Sequence, residues 1–224
     1  MDKKQILETL GNLRTISKKR EFKQSVDLVI NLKELDIKTT NVDLFVSLPH
    51  PRGKEAKICA IVDSELETQA KQACDFVILK KELDKYKADL KLVKKISKQY
   101  DIFIAQASLM GIIATIFGRV LGPLGKMPNP KVGGVLPPVS QIKPVVDKFR
   151  KLVRVTTKKE PIIKISVGRE DMTDDDIAEN IYTIYEQLIH HLPKGQASIK
   201  NVLIKFTMSN PLKVGEKIKK ESKE

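Results

Sequence analysis

Two cysteines and three histidines are the only thiol and imidazole groups in 224 residues. Cys59 and Cys74 lie in apolar surroundings without a C-x-x-C pattern, so they read as reduced core thiols, not as a disulfide or metal framework. His50 is remote in sequence from the His190–His191 pair, and no zinc signature results. Catalytic fingerprints are missing as well. Gly125-Lys126 is followed by Met127, and Val120 stands where the first glycine of a P-loop belongs. No G-x-G-x-x-G follows an apolar strand, and no serine lies in G-x-S-x-G. These gaps argue against an enzyme. No stretch approaches the roughly 18 apolar residues of a membrane span. The N-terminus, MDKKQILETLGNLRTISKKR, has no apolar signal core. The expectation is a cytoplasmic chain with no membrane partner. Tryptophan is absent, and no RNP-type aromatic motif or zinc finger marks an RNA-binding module.

Positive charge is abundant. Lysine and arginine number 41 against 28 acids, a formal net charge of +13. A chain that is also 41% hydrophobic, enough for real cores, points with that excess to a polyanionic partner. Residues 64–153 carry 16 basic and 8 acidic side chains, the most basic third of the chain. Ile102 to Val146 holds no acid and includes Arg119, Lys126, Lys131 and Lys143. Such a stretch can face phosphate; it can equally be a solvated connection.

Hydrophobic spacing gives the order of elements. Ile6, Leu7, Leu10, Leu13 and Ile16 share one face of a helix over residues 2–18. SVDLVINLKEL (25–35) alternates as a strand with one buried face, and DLFVSL (43–48) reads as a second. KICAIV (57–62), DFVILK (75–80) and DIFIAQA (101–107) are near-continuous apolar runs, separated or followed by helical segments at about 64–73, 81–99 and 108–117. That pattern predicts parallel pairing in a Rossmann-like layer. GRVLGPLGKMPNPKVGG (118–134) reads as a glycine-proline loop, and SQIKPVVDKFRKLV (140–153) as a helix. PIIKISVG (161–168) and SIKNVLIKFTM (198–208) are strands around the helix of MTDDDIAENIYTIYEQLIHHL, which Thr173 caps and Asp174, Asp175 and Asp176 suit at its positive end. KVGEKIKKESKE (213–224) reads as a lysine-rich, frayed tail. The chain is thus expected to be an α/β protein of two domains. Residues 1–63 and 155–224 form a discontinuous one, 64–154 is inserted, and the two crossings make a natural hinge.

LGPLGKMPNPKVG resembles the signature loop of the ribosomal protein L-one family, large-subunit protein one, the stalk protein beside the tRNA exit site. EFKQSVDLVINL, LPHPRGKEAKICAI and KFTMSNP support it in the right order, so the resemblance covers essentially the whole chain. The short length, FIAQASLM and the lysine-rich tail look like the archaeal branch. The resemblance implies a split antiparallel α/β domain with a Rossmann-like domain inserted, a monomer when free, and no cofactor. It implies a constituent of the large ribosomal subunit that binds a bulged region of large-subunit rRNA and assists movement and release of deacylated exit-site tRNA. Repression of its own mRNA, through a mimic of the rRNA site, is implied too. The alternatives are a non-ribosomal RNA binder sharing the fold and, more remotely, a Rossmann-type enzyme.

Carried over residue by residue, the resemblance places RNA contacts on Phe22, Ser25 and Asp27 and on Thr207, Met208 and Ser209, with Lys23 and Lys205 as phosphate partners by charge. Phe22 and Met208 offer apolar contact to ribose and base edges, while Ser25 and Thr207 can exchange hydrogen bonds with a 2′-hydroxyl. Either apolar residue could instead anchor the core, and Thr207 could merely pair with a neighbouring strand. Gly118, Arg119, Gly122, Gly125, Lys126 and Pro128 of the signature loop are placed at a hinge or tRNA-facing edge. Ser209 stands where the family usually has glycine, and Leu124 where arginine is expected, which removes one charge from the loop.

Overall fold

The computed structural model describes residues 1–33, 42–53, 55–138, 140–157 and 160–216. They divide into two compact units: Met1–Lys54 with Lys151–Glu224, and Glu55–Arg150.

In the first unit, β1 (Ser25–Leu32) buries Val26, Leu28, Ile30 and Leu32 and turns Ser25, Asp27, Val29 and Asn31 the other way. It lies between β8 (Ile162–Arg169) and β9 (Ile199–Phe206), antiparallel to both, and β10 (Leu212–Lys213) extends β9. The buried faces of these strands meet α1 (Lys3–Ile16) and α7 (Asp174–His191) in one core, with Ile6, Leu10 and Leu13 from α1 and Ile177, Ile181, Ile184 and Leu188 from α7. Thr173 caps α7 by accepting the Asp176 N–H at 3.2 Å. A separate antiparallel ribbon pairs β2 (Asp43–Ser47) with β7 (Leu152–Thr156). The helix expected to run to Val153 therefore stops at Lys151. Val153 and Val155, β-branched and set opposite Val46 and Leu44, are held as strand by that pairing. Lys213, expected in a frayed tail, belongs to β10, and the Val214 N–H donates to the Val202 carbonyl at 2.9 Å. The end of the expected first strand (34–35) and the rest of the tail (217–224) lie outside the described residues.

The approach to the first crossing is anchored within this unit. Buried Asn180 accepts the His50 N–H at 3.1 Å and donates to the His50 and Val167 carbonyls at 3.2 and 3.0 Å. The His50 ring meets Glu179 at 2.8 Å through Nε2.

In the second unit, β3 (Ile58–Val62), β4 (Phe76–Leu79), β5 (Ile102–Gln106) and β6 (Val135–Leu136) form a parallel sheet in the order β4-β3-β5-β6. Its helices are α2 (Glu67–Ala73), α3 (Leu83–Ala88), α4 (Leu90–Gln99), α5 (Met110–Leu124) and α6 (Ile142–Lys151). The helix expected over 81–99 is broken at Asp89, whose carboxylate accepts the Lys91 N–H at 2.7 Å and restarts the chain as α4. Because β3 pairs with β4 and β5, while β7 pairs back to β2, the boundaries expected at 63/64 and 154/155 move to 54/55 and 150/151. Counted on these boundaries, the insert carries 16 basic and 10 acidic side chains and the split unit 25 and 18. The charge asymmetry read from the sequence therefore disappears, and net charge no longer favours the insert as the site of a polyanion.

Ala107–Leu124, which includes α5, corrects the expectation that no stretch approaches a membrane span. By length and composition it is apolar enough to cross one. Here its Ile113, Ile116, Phe117 and Leu121 are used in a core with Cys59, Ile61, Phe103 and Ala105 of the sheet.

Candidate nucleic-acid interface

The face of β8, β1 and β9 that points away from the helices carries Lys164 and Ser166, then Ser25, Asp27, Val29 and Asn31, then Asn201, Leu203 and Lys205. Register sets Asp27 between Lys205 and Ser166, Val29 between Leu203 and Lys164, and Asn31 beside Asn201, to which it donates a side-chain hydrogen bond. All of these residues are partly or fully exposed. Burial raises the Asp27 carboxyl above the ordinary carboxylate range, and Lys205 pulls in the opposite direction.

The end of β1 and the end of β9 are tied together. The Ser25 N–H donates to the Thr207 hydroxyl oxygen at 3.1 Å, and the Thr207 N–H donates to the Ser25 carbonyl at 3.1 Å. Thr207 thus carries the β1–β9 ladder one step past the Val26–Phe206 pair. Buried Gln24 then accepts the Met208 N–H at 3.1 Å. Ser209 closes the turn: its hydroxyl oxygen accepts the Phe206 N–H at 2.8 Å, and its own N–H donates to the Phe206 carbonyl at 3.1 Å. The Ser209 hydroxyl, absent where the family has glycine, is thereby used in shaping the turn.

Two large apolar side chains are left outside at this strand end. Phe22 is 52% exposed and Met208 60%, so neither anchors the core. Met208 sits in a turn fixed by backbone bonds, and holding either side chain in water has no packing benefit within the chain. Lys23 pairs with Asp171 at 2.8 Å on the surface and holds the Asp171 carboxyl below its usual range. An exposed pair of this kind is weak, and a phosphate can replace the carboxylate.

Phe22, Lys23, Ser25, Asp27, Lys205, Thr207, Met208 and Ser209 are thus carried by neighbouring strand ends of one unit. The sequence reading missed Gln24, which is buried and positions Met208, and Lys164 and Ser166, which share the open face. The last two were legible in the alternation of PIIKISVG, where Ile163, Ile165 and Val167 are buried and the residues between them point out.

The signature stretch lies in the other unit and is only partly a loop. Gly118, Arg119 and Gly122 belong to α5, which the sequence reading ended at residue 117. Gly125, at φ 67°, is the left-handed cap that ends it. The Lys126 ammonium donates to the Ser97 and Tyr100 carbonyls at 2.8 and 2.7 Å and so covers the C-terminal end of α4. Gly134 lets the chain pass close to itself, since a Cβ there would meet the Asn129 nitrogen at 3.0 Å. Pro128 is buried and Arg119 exposed. A lysine already held by two carbonyls is not a phosphate cradle, and the stretch works here as a helix end and a return into β6.

Comparison with known proteins gives the family. The model of the Ribosomal protein L1p/L10e family matches residues 13–210. The large ribosomal subunit protein uL1 of Methanobrevibacter smithii is 40% identical over 213 residues, which cover 94% of this chain and 98% of that protein. The protein of the same name from Methanocaldococcus jannaschii is 38% identical over 224 residues, covering 99% of this chain and all of its own. These are ribosomal proteins, not enzymes, and the match extends through both units. The chain belongs to the ribosomal protein L1p/L10e family, in its archaeal form.

Proposed function

We propose that this chain is a structural constituent of the large ribosomal subunit and binds large-subunit rRNA through the β1–β9 strand end. The observation that carries the reading is the exposed pair Phe22 and Met208 on either side of the Ser25–Thr207 clasp, at the edge of an open sheet face in a chain of net charge +13. Each part has a task in RNA recognition. Phe22 and Met208 pack on ribose and base edges. The Thr207 hydroxyl, bonded within the protein to the Ser25 backbone, and the Ser25 hydroxyl exchange hydrogen bonds with 2′-hydroxyls, the group that distinguishes RNA. Lys205, Lys164 and, once released from Asp171, Lys23 meet phosphates.

The reading extends to two further partners. The chain's own mRNA, carrying a mimic of the rRNA site, would use the same residues to repress translation. Deacylated exit-site tRNA would be met by the insert, where Arg119 is exposed. The setting is the cytoplasm, on the ribosome, with a monomer before assembly. Footprinting on deproteinised large-subunit rRNA tests the core of this proposal. One protected bulged region, lost with Thr207→Val and Met208→Ala, is expected. Equal protection along the whole rRNA would refute it.

A further inference from the structure

A cleft of about 470 Å3 opens between α2 and α6 of the inserted unit. Its polar lining is Gln69 and Gln72 from α2 and Lys143, Asp147 and Arg150 from α6, with Gln141 at the start of α6. Among the described residues, none of these six side chains makes a hydrogen bond or ion pair within the chain. Arg150 shows this most clearly, because its Nε is buried and has no partner. A buried donor left unpaired is rare in native proteins and calls for an acceptor. Arg150 also stands at the C-terminal end of α2. Burial, and then Asp75, push the Cys74 thiol up to about 11, while Arg150 opposes them. Lys143 lies seven residues back along α6, roughly 10 Å at 1.5 Å per residue. One cation therefore sits toward each end of the cleft, the glutamines line its other wall, and Ala73 adds an apolar contact above buried Ile142 and Val146.

This set of groups selects a ligand class. A simple anion would use the cations and leave three amides and a carboxylate idle, in a cleft far larger than itself. A nucleotide uses all of them. A phosphate suits the forked guanidinium. A glutamine amide offers one donor side and one acceptor, the arrangement that reads a base edge. Asp147 accepts from a ribose hydroxyl, and the partly exposed Ala73 offers the ring an apolar contact. The volume lies within the range of small-ligand sites.

We propose that the α2–α6 cleft binds a ribonucleotide, with phosphate on Arg150 and the base edge on Gln69 and Gln72. The nucleotide is either free or an unpaired residue of an RNA strand. The site is on the unit that does not carry the β1–β9 interface, so either assignment can fail without the other.

The test uses the full-length chain labelled with 15N. Adenosine 5′-monophosphate and a six-nucleotide single-stranded RNA should each shift the Gln69 and Gln72 side-chain amide signals saturably. Arg150→Gln should weaken binding about tenfold or more, as for the loss of a hydrogen bond to a charged group. Lys4→Ala, on α1 of the other unit and outside the β1–β9 interface, should leave it unchanged. If the RNA binds more than about tenfold tighter than the mononucleotide, the site takes a strand; comparable affinities assign it to a free nucleotide, and both outcomes uphold the proposal. Should Arg150→Gln fail to fold, Gln72→Ala decides instead. The proposal is overturned if neither probe shifts these signals at millimolar concentration. It is equally overturned if inorganic phosphate or a hexaglutamate peptide does so as well as the nucleotide, or if both variants bind unchanged with intact thermal transitions.

Discussion

Replacing Thr207 with valine separates two tasks of one hydroxyl. In the free protein that oxygen accepts the Ser25 N–H at 3.1 Å and lies 3.4 Å from the Ser25 carbonyl, to which it also donates. Valine keeps the shape and the β propensity, so the strand end should hold. Thr207 is exposed and Ser25 partly so, which lets water replace the lost partner. The cost to the free protein should be about 0.5–1.5 kcal/mol, the net worth of an ordinary hydrogen bond, or a few degrees in Tm. Bound RNA would exclude that water. The Ser25 N–H and any 2′-hydroxyl aimed at Thr207 would then be unpaired, costing about 1–3 kcal/mol. At 1.4 kcal/mol per decade this is roughly a tenfold to hundredfold loss of affinity. Ser25→Ala should act in the same direction, and the double variant should lose less than the sum if both serve one network. Calorimetric titration with a cognate large-subunit rRNA fragment measures affinity, and scanning calorimetry on the free chain measures stability. The reasoning is refuted if Thr207→Val keeps affinity within about 0.5 kcal/mol of the parent while its Tm falls as described. The hydroxyl would then be a strand clasp and nothing more.

Lys205→Ala should flatten the dependence of log K on log salt by roughly 0.7 to 0.9, one phosphate contact, while leaving discrimination against scrambled RNA intact; an unchanged slope removes Lys205 from the interface. Lys23 must leave Asp171 to reach a phosphate, so Lys23→Ala should weaken binding and Asp171→Asn should strengthen it. If Asp171→Asn also weakens binding, the pair is structural. Asp27→Asn should raise stability at neutral pH more than at pH about 3. The native carboxyl binds its proton more tightly than the unfolded one, whose pKa is about 3.9. Native stability from this group is therefore greatest below the unfolded value and falls as pH rises through the interval up to the native one. A difference in Tm between variant and parent that does not change with pH would contradict the assignment. Lys126→Met should lower the stability of the insert by about 1.5–3 kcal/mol, because it removes a charged donor from two carbonyls, and should leave rRNA affinity within about twofold. A large loss of affinity would return the signature stretch to the RNA interface.

Most of the architecture was legible because two hydrophobic periods mark it. The alternation through Val26, Leu28 and Ile30 and the continuous runs of ICAIV and IFIAQ separate a half-covered antiparallel sheet from a parallel one buried on both faces. Residues where local preference and tertiary pairing disagree were misread. Leu152 and Val153 follow a helix without a break in apolar pattern, and only β2, more than a hundred residues earlier, makes them strand. Gly118, Gly122 and Pro123 look like a loop because each disfavours helix, yet the buried row Ile113, Ile116, Phe117 and Leu121 carries α5 through to Leu124. The interface residues came from the resemblance, not from periodicity. Periodicity does account for which of them face outward, and for Lys164 and Ser166 beside them. Gln24 left no such signal, since a polar residue just before a strand gives no hint that its side chain will be buried under the backbone of Met208.

Hydrogen–deuterium exchange of the full-length chain, with and without a cognate large-subunit rRNA fragment, tests the central claim most directly, since it reads both units at once in the intact protein. Protection on binding should concentrate in segments 22–27, 164–166 and 205–209. Protection confined to the insert, with those three segments exchanging as in the free chain, would contradict the assignment of the rRNA site to the β1–β9 strand end.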